Sequence, residues 1–144
     1  MMDLTGEAHS ALIARLKREE GLRLFPYKDT VGITTIGYGR NLEYVGISKM
    51  EAEIMLENDI ESVISELKKT YTFFKDLDEA RKIVFIDMAF NMGIHGLSQF
   101  RHMIAAVAKG DYKLAAKEML NSKWAAQVKN RANDLAYLME TGKL

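Results

Sequence analysis

The sequence predicts an α+β fold, mainly helical, in which a small antiparallel sheet forms one lobe, a group of helices the other, and a long helix joins them. Three observations carry this. The run Ile33-Thr34-Thr35-Ile36-Gly37-Tyr38 is β-branched and aromatic and follows turn chemistry at Lys28 to Gly32, as strands of a hairpin do. Apolar residues recur at helical spacing from Met50 to about Lys69. From Asp78 onward, helix-period segments follow one another, punctuated by Gly93, Gly96, Gly110 and Gly142.

A chain of 144 residues, 48% hydrophobic and 28% charged, is long enough for a real core and too apolar for disorder. One domain, residues 1–144, is expected. Its sheet lobe covers about 14–47, its connecting helix about 48–70, and its helical lobe about 71–144 together with the first helix.

Taken in order, residues 8 to 20 form the first helix, with Leu12, Ile13 and Leu16 on one face and Gly21 as a left-handed stop. The sheet segment runs to about residue 40 and holds the single proline, Pro26, where it interrupts no helix. Asn41 to Ile47 is a connection. Ser48-Lys49-Met50-Glu51 then reads as a capping box for the long helix, which at 1.5 Å per residue spans roughly 30 Å. Tyr71 to Phe74 is a connection that buries aromatics. A helix from about Asp78 to Gly93 is apolar on nearly every face and is expected at the centre of its lobe. Its lone Asp87 is expected to be a hydrogen-bonded structural group. Further helices are expected over Leu97–Lys109, from Asp111 to Leu120, from Ser122 to Val128 around the only Trp, and over Asn130–Glu140. The nine methionines fall at core-like positions as gap-fillers.

The chemistry concentrates between Glu19 and Arg40. Glu20 sits in the last turn of the first helix, where the helix dipole is already negative, so it breaks a local rule of the kind expected at functional sites. The same dipole disfavours its ionisation, which suits a general acid. Asp29 follows nine residues later in a turn, and a hairpin brings it back toward Glu20; Thr35 supplies a hydroxyl on the adjacent strand. Two carboxylates across a groove suit glycosidic-bond hydrolysis. From spacing alone, solvated surface acids with a turn Asp are the stronger reading.

The blocks E-G-L-R-L, Y-K-D-T-x-G and T-I-G-x-G, at these intervals, closely resemble the phage-type lysozymes, the muramidase family of the T-even phage endolysins. Phe90-Asn91-Met92-Gly93, Ser122-Lys123-Trp124 and Asn130-Arg131-Ala132 extend the resemblance through the second half. It implies a two-lobed lysozyme-like fold. It also implies Glu20 as general acid, Asp29 on the anomeric side and Thr35 as holder of the attacking water. By the same resemblance Arg131 pairs with the catalytic Glu, which favours ionisation and opposes the dipole; Phe90, Asn91 and Gln127 fall where the family lines its cleft, with packing and helix-end hydrogen bonds as an equal alternative, and Gly39 supports the site by permitting close backbone approach. Arg40 departs from the pattern, since many members carry His after G-x-G, so any His-dependent ion pair there is replaced or lost.

The implied activity is hydrolysis of the β-1,4 bond between N-acetylmuramic acid and N-acetylglucosamine in peptidoglycan, with inversion. It calls for no cofactor. A lytic transglycosylase or chitinase-type glycosidase, or a non-catalytic wall-binding module on the same fold, are the alternatives. His9, His95 and His102 form no ligand cluster, so no metal site is expected. Gly37-Tyr38-Gly39 lacks the third glycine and the following helix of a nucleotide loop. The basic residues of the last third, without interleaved exposed aromatics, make a nucleic-acid platform a poor reading. Net charge is zero, divided as −3 over residues 1–70 and +3 over 71–144. With no cysteine, no disulfide framework is available. Residues 1–10 show no signal peptide and no stretch is long enough to insert in a membrane. The expectation is therefore a monomer made in the host cytoplasm that acts in the periplasm or wall after release, with a holin and a protein inhibitor among the partners left open.

Overall fold

The computed structural model describes residues 3–144; the reading of the N-terminal stretch falls partly on residues 1 and 2, outside the described residues. The chain divides into two compact units, one ending at Glu53 and one comprising Ile54–Leu144. Among the described residues, seven α-helices and one three-stranded antiparallel sheet give the mainly helical α+β class that the sequence predicts.

The first unit begins with helix α1, Gly6–Glu20. Thr5 caps it, its side chain accepting from the Ala8 amide at 3.2 Å, and Gly21 ends it. Gly21 has φ 72° and ψ 159°, so it is not the left-handed helical stop the sequence suggests. That region of backbone space is open essentially to glycine alone, which lets the chain leave the helix directly into strand β1, Arg23–Lys28. Strands β2, Thr34–Gly37, and β3, Arg40–Asn41, complete a sheet of order β1-β2-β3. Thr35 lies opposite Tyr27 on one side and Asn41 on the other. Among the described residues of this unit only Thr35 is buried.

Helix α2, Lys49–Thr70, starts in the first unit and continues into the second. Its capping box is formed on both sides: the Glu51 amide donates to Ser48 Oγ at 3.1 Å and the Ser48 amide to Glu51 Oε1 at 2.8 Å. After a 3₁₀ turn at Phe74–Asp76 comes α3, Glu79–Ser98, capped by Asp78. Gly93, at φ 79° and ψ 163°, breaks α3 where the sequence places a stop, yet helical turns resume and carry the element on to Ser98. In consequence α4 starts at Arg101 rather than Leu97 and ends at Ala108. Helices α5, Tyr112–Leu120, α6, Lys123–Val128, and α7, Asn130–Thr141, follow the expected order, with Asp111 and Ser122 as caps.

The core of the described residues lies in the second unit. Leu67, Phe74, Val84, Phe85, Met88, Leu97, Met103, Met119 and Met139 are its largest fully buried side chains. Val84, Phe85, Met88 and Ala89 come from α3, as its apolar circumference predicts, and α7 packs against α3, α5 and α6. Four methionines serve as core filler, but Met50 and Met55 are exposed.

Candidate active site

The three expected catalytic residues and Gly39 lie in the first unit, and local structure explains how each is held. Glu20 is the last residue of α1. Its carboxylate rests against the turn Gly37-Tyr38-Gly39 that joins β2 to β3: a Cβ built on Gly39 would fall 2.5 Å from Glu20 Oε2. Gly39 also has φ 75°, so it is required twice, for its conformation and for lack of a side chain. Lys17, one helical turn before Glu20, places its Nζ 5.5 Å from the centre of the Tyr38 ring. The end of α1 and the hairpin turn are thus in contact at both Glu20 and Lys17.

Asp29 follows the last residue of β1 and organises the turn into β2. Its Oδ1 accepts from the amides of Val31 and Ile33, both at 2.9 Å, while its own amide donates to the Ile33 carbonyl at 2.9 Å. One carboxylate oxygen is therefore fixed by backbone. Thr35, 4% exposed, donates its hydroxyl proton to the Ile33 carbonyl at 2.8 Å. With its proton so engaged, the hydroxyl oxygen can only accept from a further partner, such as water. Ile33 therefore ties Asp29 and Thr35 into one backbone unit.

Arg40, which follows the G-x-G block, is firmly paired. Its Nη1 and Nη2 donate to Glu51 Oε1 and Oε2 at 2.9 and 2.7 Å, and Nη1 also reaches the Gly46 carbonyl at 3.0 Å. The bond with Arg40 and the amide of Ser48 hold the Glu51 carboxyl well below its usual range, at about 2. Beside the turn, Lys28 Nζ donates to Thr34 Oγ1 at 2.7 Å, and Glu43 accepts from the Thr34 amide at 2.8 Å. That backbone bond leads the causes that draw the Glu43 carboxyl below its usual range.

In the second unit Arg131, in the first turn of α7, is paired with Asp87 of α3: Nη2 and Nε lie 2.7 and 2.8 Å from Oδ1. Asp87 is thus a bonded group, as its isolation on an apolar helix predicts. Asp87, Arg131, Phe90 and Ile86 help line a depression of about 340 Å³. Asn91 Oδ1 accepts from the indole Nε1 of buried Trp124 at 3.0 Å, so its oxygen serves packing. Gln127 is on the exposed part of α6. Among the described residues no three His, Asp or Glu side chains gather so as to hold a metal ion. No helix of the described residues is long and apolar enough to cross a membrane.

The pairings Arg40–Glu51 and Arg131–Asp87 are absent from the sequence reading. The first had a signal, a cation right after the G-x-G block and an acid in a capping box, but nothing in spacing joined them.

Comparison with known proteins identifies the family. The family model described as phage lysozyme matches residues 17–137. Probable T4-type lysozyme 1 of Dictyostelium discoideum is 32% identical, over 94% of this chain and 96% of its own length. Probable T4-type lysozyme 2 of the same organism is 29% identical over the same shares. The pre-baseplate central spike protein Gp5 of Enterobacteria phage T4 is 30% identical over 90% of this chain, which corresponds to 27% of Gp5. The chain belongs to the phage lysozyme family and is a glycoside hydrolase of the lysozyme type.

Proposed function

We propose that the protein is a muramidase that hydrolyses the β-1,4 bond between N-acetylmuramic acid and N-acetylglucosamine in bacterial peptidoglycan and so lyses the wall. The observation that carries this reading is the first unit's arrangement: a helix-terminal carboxylate, Glu20, lodged on Gly39, with Asp29 and Thr35 tied to one carbonyl and amide pair at Ile33. Glu20 gives its proton to the leaving glycosidic oxygen as the bond to the anomeric carbon breaks. A water oxygen forms the new bond at that carbon. The free oxygen of Asp29 takes the water's departing proton, or orients the water or stabilises the oxocarbenium-like state while that proton leaves to solvent, and the Thr35 oxygen accepts a hydrogen bond from the water's other O–H, which remains as the product hydroxyl. Inversion corresponds to a carboxyl separation of about 6.5–9.5 Å during the reaction, retention to about 5–5.5 Å.

Phe90, Gln127 and Asn91 are assigned to the substrate side on resemblance, and Arg131 to a supporting role. Asn91 would act there through its amide nitrogen, its oxygen being taken by Trp124. Gly39 acts by leaving room for Glu20. A monomer without cofactor suffices for this chemistry. Action on the wall after release from the cytoplasm, with a holin as the route and a protein inhibitor as a further partner, completes the reading.

The test is wall turbidity and muropeptide release by Glu20→Gln. Lysis is expected to disappear, by at least about 10³-fold, with the melting temperature unchanged or higher; retained turnover would remove Glu20 as the acid. Mass spectrometry of the products separates hydrolysis, which adds one water per bond cut, from transglycosylation, which adds none and leaves 1,6-anhydro ends.

A further inference from the structure

Two features of the first unit meet at one short turn. Tyr38 and Gly39 link β2, which ends at Gly37, to β3, and both Gly37 and Gly39 hold positive φ, 69° and 75°. Its last residue carries the backbone against which the Glu20 carboxylate rests. The next residue, Arg40, pairs with Ile36 across the hairpin, and Asn41 pairs with Thr35. A glycine turn is soft, because glycine restricts the backbone least of all residues. Something beyond the turn must fix where Gly39 sits, or the Glu20 carboxylate would rest on a moving wall.

Arg40 supplies that restraint. Its guanidinium meets Glu51 with two parallel bonds, 2.9 and 2.7 Å, and adds a third to the Gly46 carbonyl at 3.0 Å. Glu51 is itself immobilised, since its Oε1 accepts from the Ser48 amide and its own amide is held by Ser48 Oγ. The fork therefore joins the leg of the hairpin that follows Gly39 to the first turn of α2. Bidentate guanidinium–carboxylate pairs fix direction as well as distance, which a single point charge does not. Surface ion pairs contribute little to stability as a class, so a three-bond clamp on this turn has its main consequence in geometry.

We propose that Arg40 and Glu51 are positioning residues for the reaction: their fork holds Gly39, and through it the Glu20 carboxylate, and through Asn41 it steadies the strand that bears Thr35. This rests on the proposed role of Glu20 as acid. Displacement of a reacting group by about 1 Å can cost on the order of a hundredfold in rate, so a loose turn is felt in the chemical step.

Four variants of the full chain decide it: Arg40→Gln, Glu51→Gln, the double variant, and Arg40→Lys, with Glu20→Gln alongside. Turnover is followed on soluble glycan strands of defined length, well below each variant's melting temperature. Glutamine at 51 keeps the capping acceptor and loses the charge, so Glu51→Gln stays informative even if Arg40→Gln folds poorly. Each single substitution is expected to lower kcat about tenfold or more. The double variant should be no slower than either single one, because the two side chains act as one unit. Lysine at 40, which cannot fork, should give an intermediate kcat. If both single variants keep kcat within about twofold of the parent, or if their losses multiply in the double variant, the clamp does not position the acid. An inactive Glu20→Gln beside fully active clamp variants overturns this inference alone. An active Glu20→Gln overturns the proposed acid and the inference with it.

Discussion

Individual side chains in this molecule are held by bonds whose removal has predictable consequences. Tyr71 sits among Phe73 and Phe85, with ring centres 5.6 and 5.8 Å away, and its hydroxyl is buried with no partner among the described residues. Burial raises its pKa, and an unpaired buried hydroxyl is a cost that an apolar ring avoids. Tyr71→Phe is expected to leave the unfolding free energy unchanged or raise it by up to about 1 kcal/mol, measured by urea denaturation; a clear loss would mean that the hydroxyl is satisfied. Lys129, ahead of Asn130 and Arg131, has φ 47° and ψ −107°, a conformation that a side chain disfavours. Lys129→Gly should stabilise by about 1 kcal/mol in the same assay. A destabilised glycine variant would show that the lysine makes contacts worth more than its strain.

Elements carry their own consequences, and pH is the sharpest probe of them. Glu51 closes the α2 capping box and receives the Arg40 fork, and its pKa is lowered from 4.5 to about 2. A carboxylate lowered on folding contributes stability that is present above its unfolded pKa and is lost as pH falls through the folded one. The window for Glu51 is therefore pH 4.5 down to about 2. Stability of the first unit should decline across it, and Glu51→Gln should flatten that decline in part, because Glu43 is lowered too and still contributes. Identical acid slopes in parent and variant would show that the fork does not hold in solution. In the second unit Arg81 ties the start of α3 to the end of α7. It bonds the carbonyls of Met139 and Glu140 at 2.7 and 3.0 Å, and its guanidinium lies 3.6 Å from the Tyr112 ring centre. Arg81→Ala is expected to cost about 2–3 kcal/mol, read from the shift in denaturation midpoint; a cost under about 0.5 kcal/mol, the range of featureless surface changes, would contradict the packing of α7 described here.

At the scale of the whole molecule, the core belongs to the second unit while the proposed acid, its partner carboxylate and the hydroxyl belong to the first. Amides buried under fully enclosed apolar side chains exchange last. Hydrogen exchange should therefore be slowest for Val84 to Ala89 of α3 and Leu135 to Met139 of α7, and faster across β1 and β2. Sheet amides that outlast those helices would contradict this distribution of the core.

The division between sequence and structure follows from the range of the forces involved. Local chemistry was legible in the chain itself: the capping box at Ser48 and Glu51, the helix starts at Asp78 and Asp111, the β-branched and aromatic run that makes β2, and the apolar circumference that places α3 in the core each depend on residues within a turn or two of one another. The three spaced blocks that carry Glu20, Asp29 and Thr35, all of them in the first unit, were legible too. The geometry at Gly21 and Gly93 was not, since a glycine announces freedom and does not say which unusual conformation its neighbours impose. Only the folded chain determined that Arg40 forks onto Glu51, that Arg131 takes Asp87, and that Trp124 occupies the oxygen of Asn91. Those partners stand 11, 44 and 33 residues apart, and ionic or polar pairing over such separations leaves no periodic trace; it exists only once packing has brought the two groups within bonding distance.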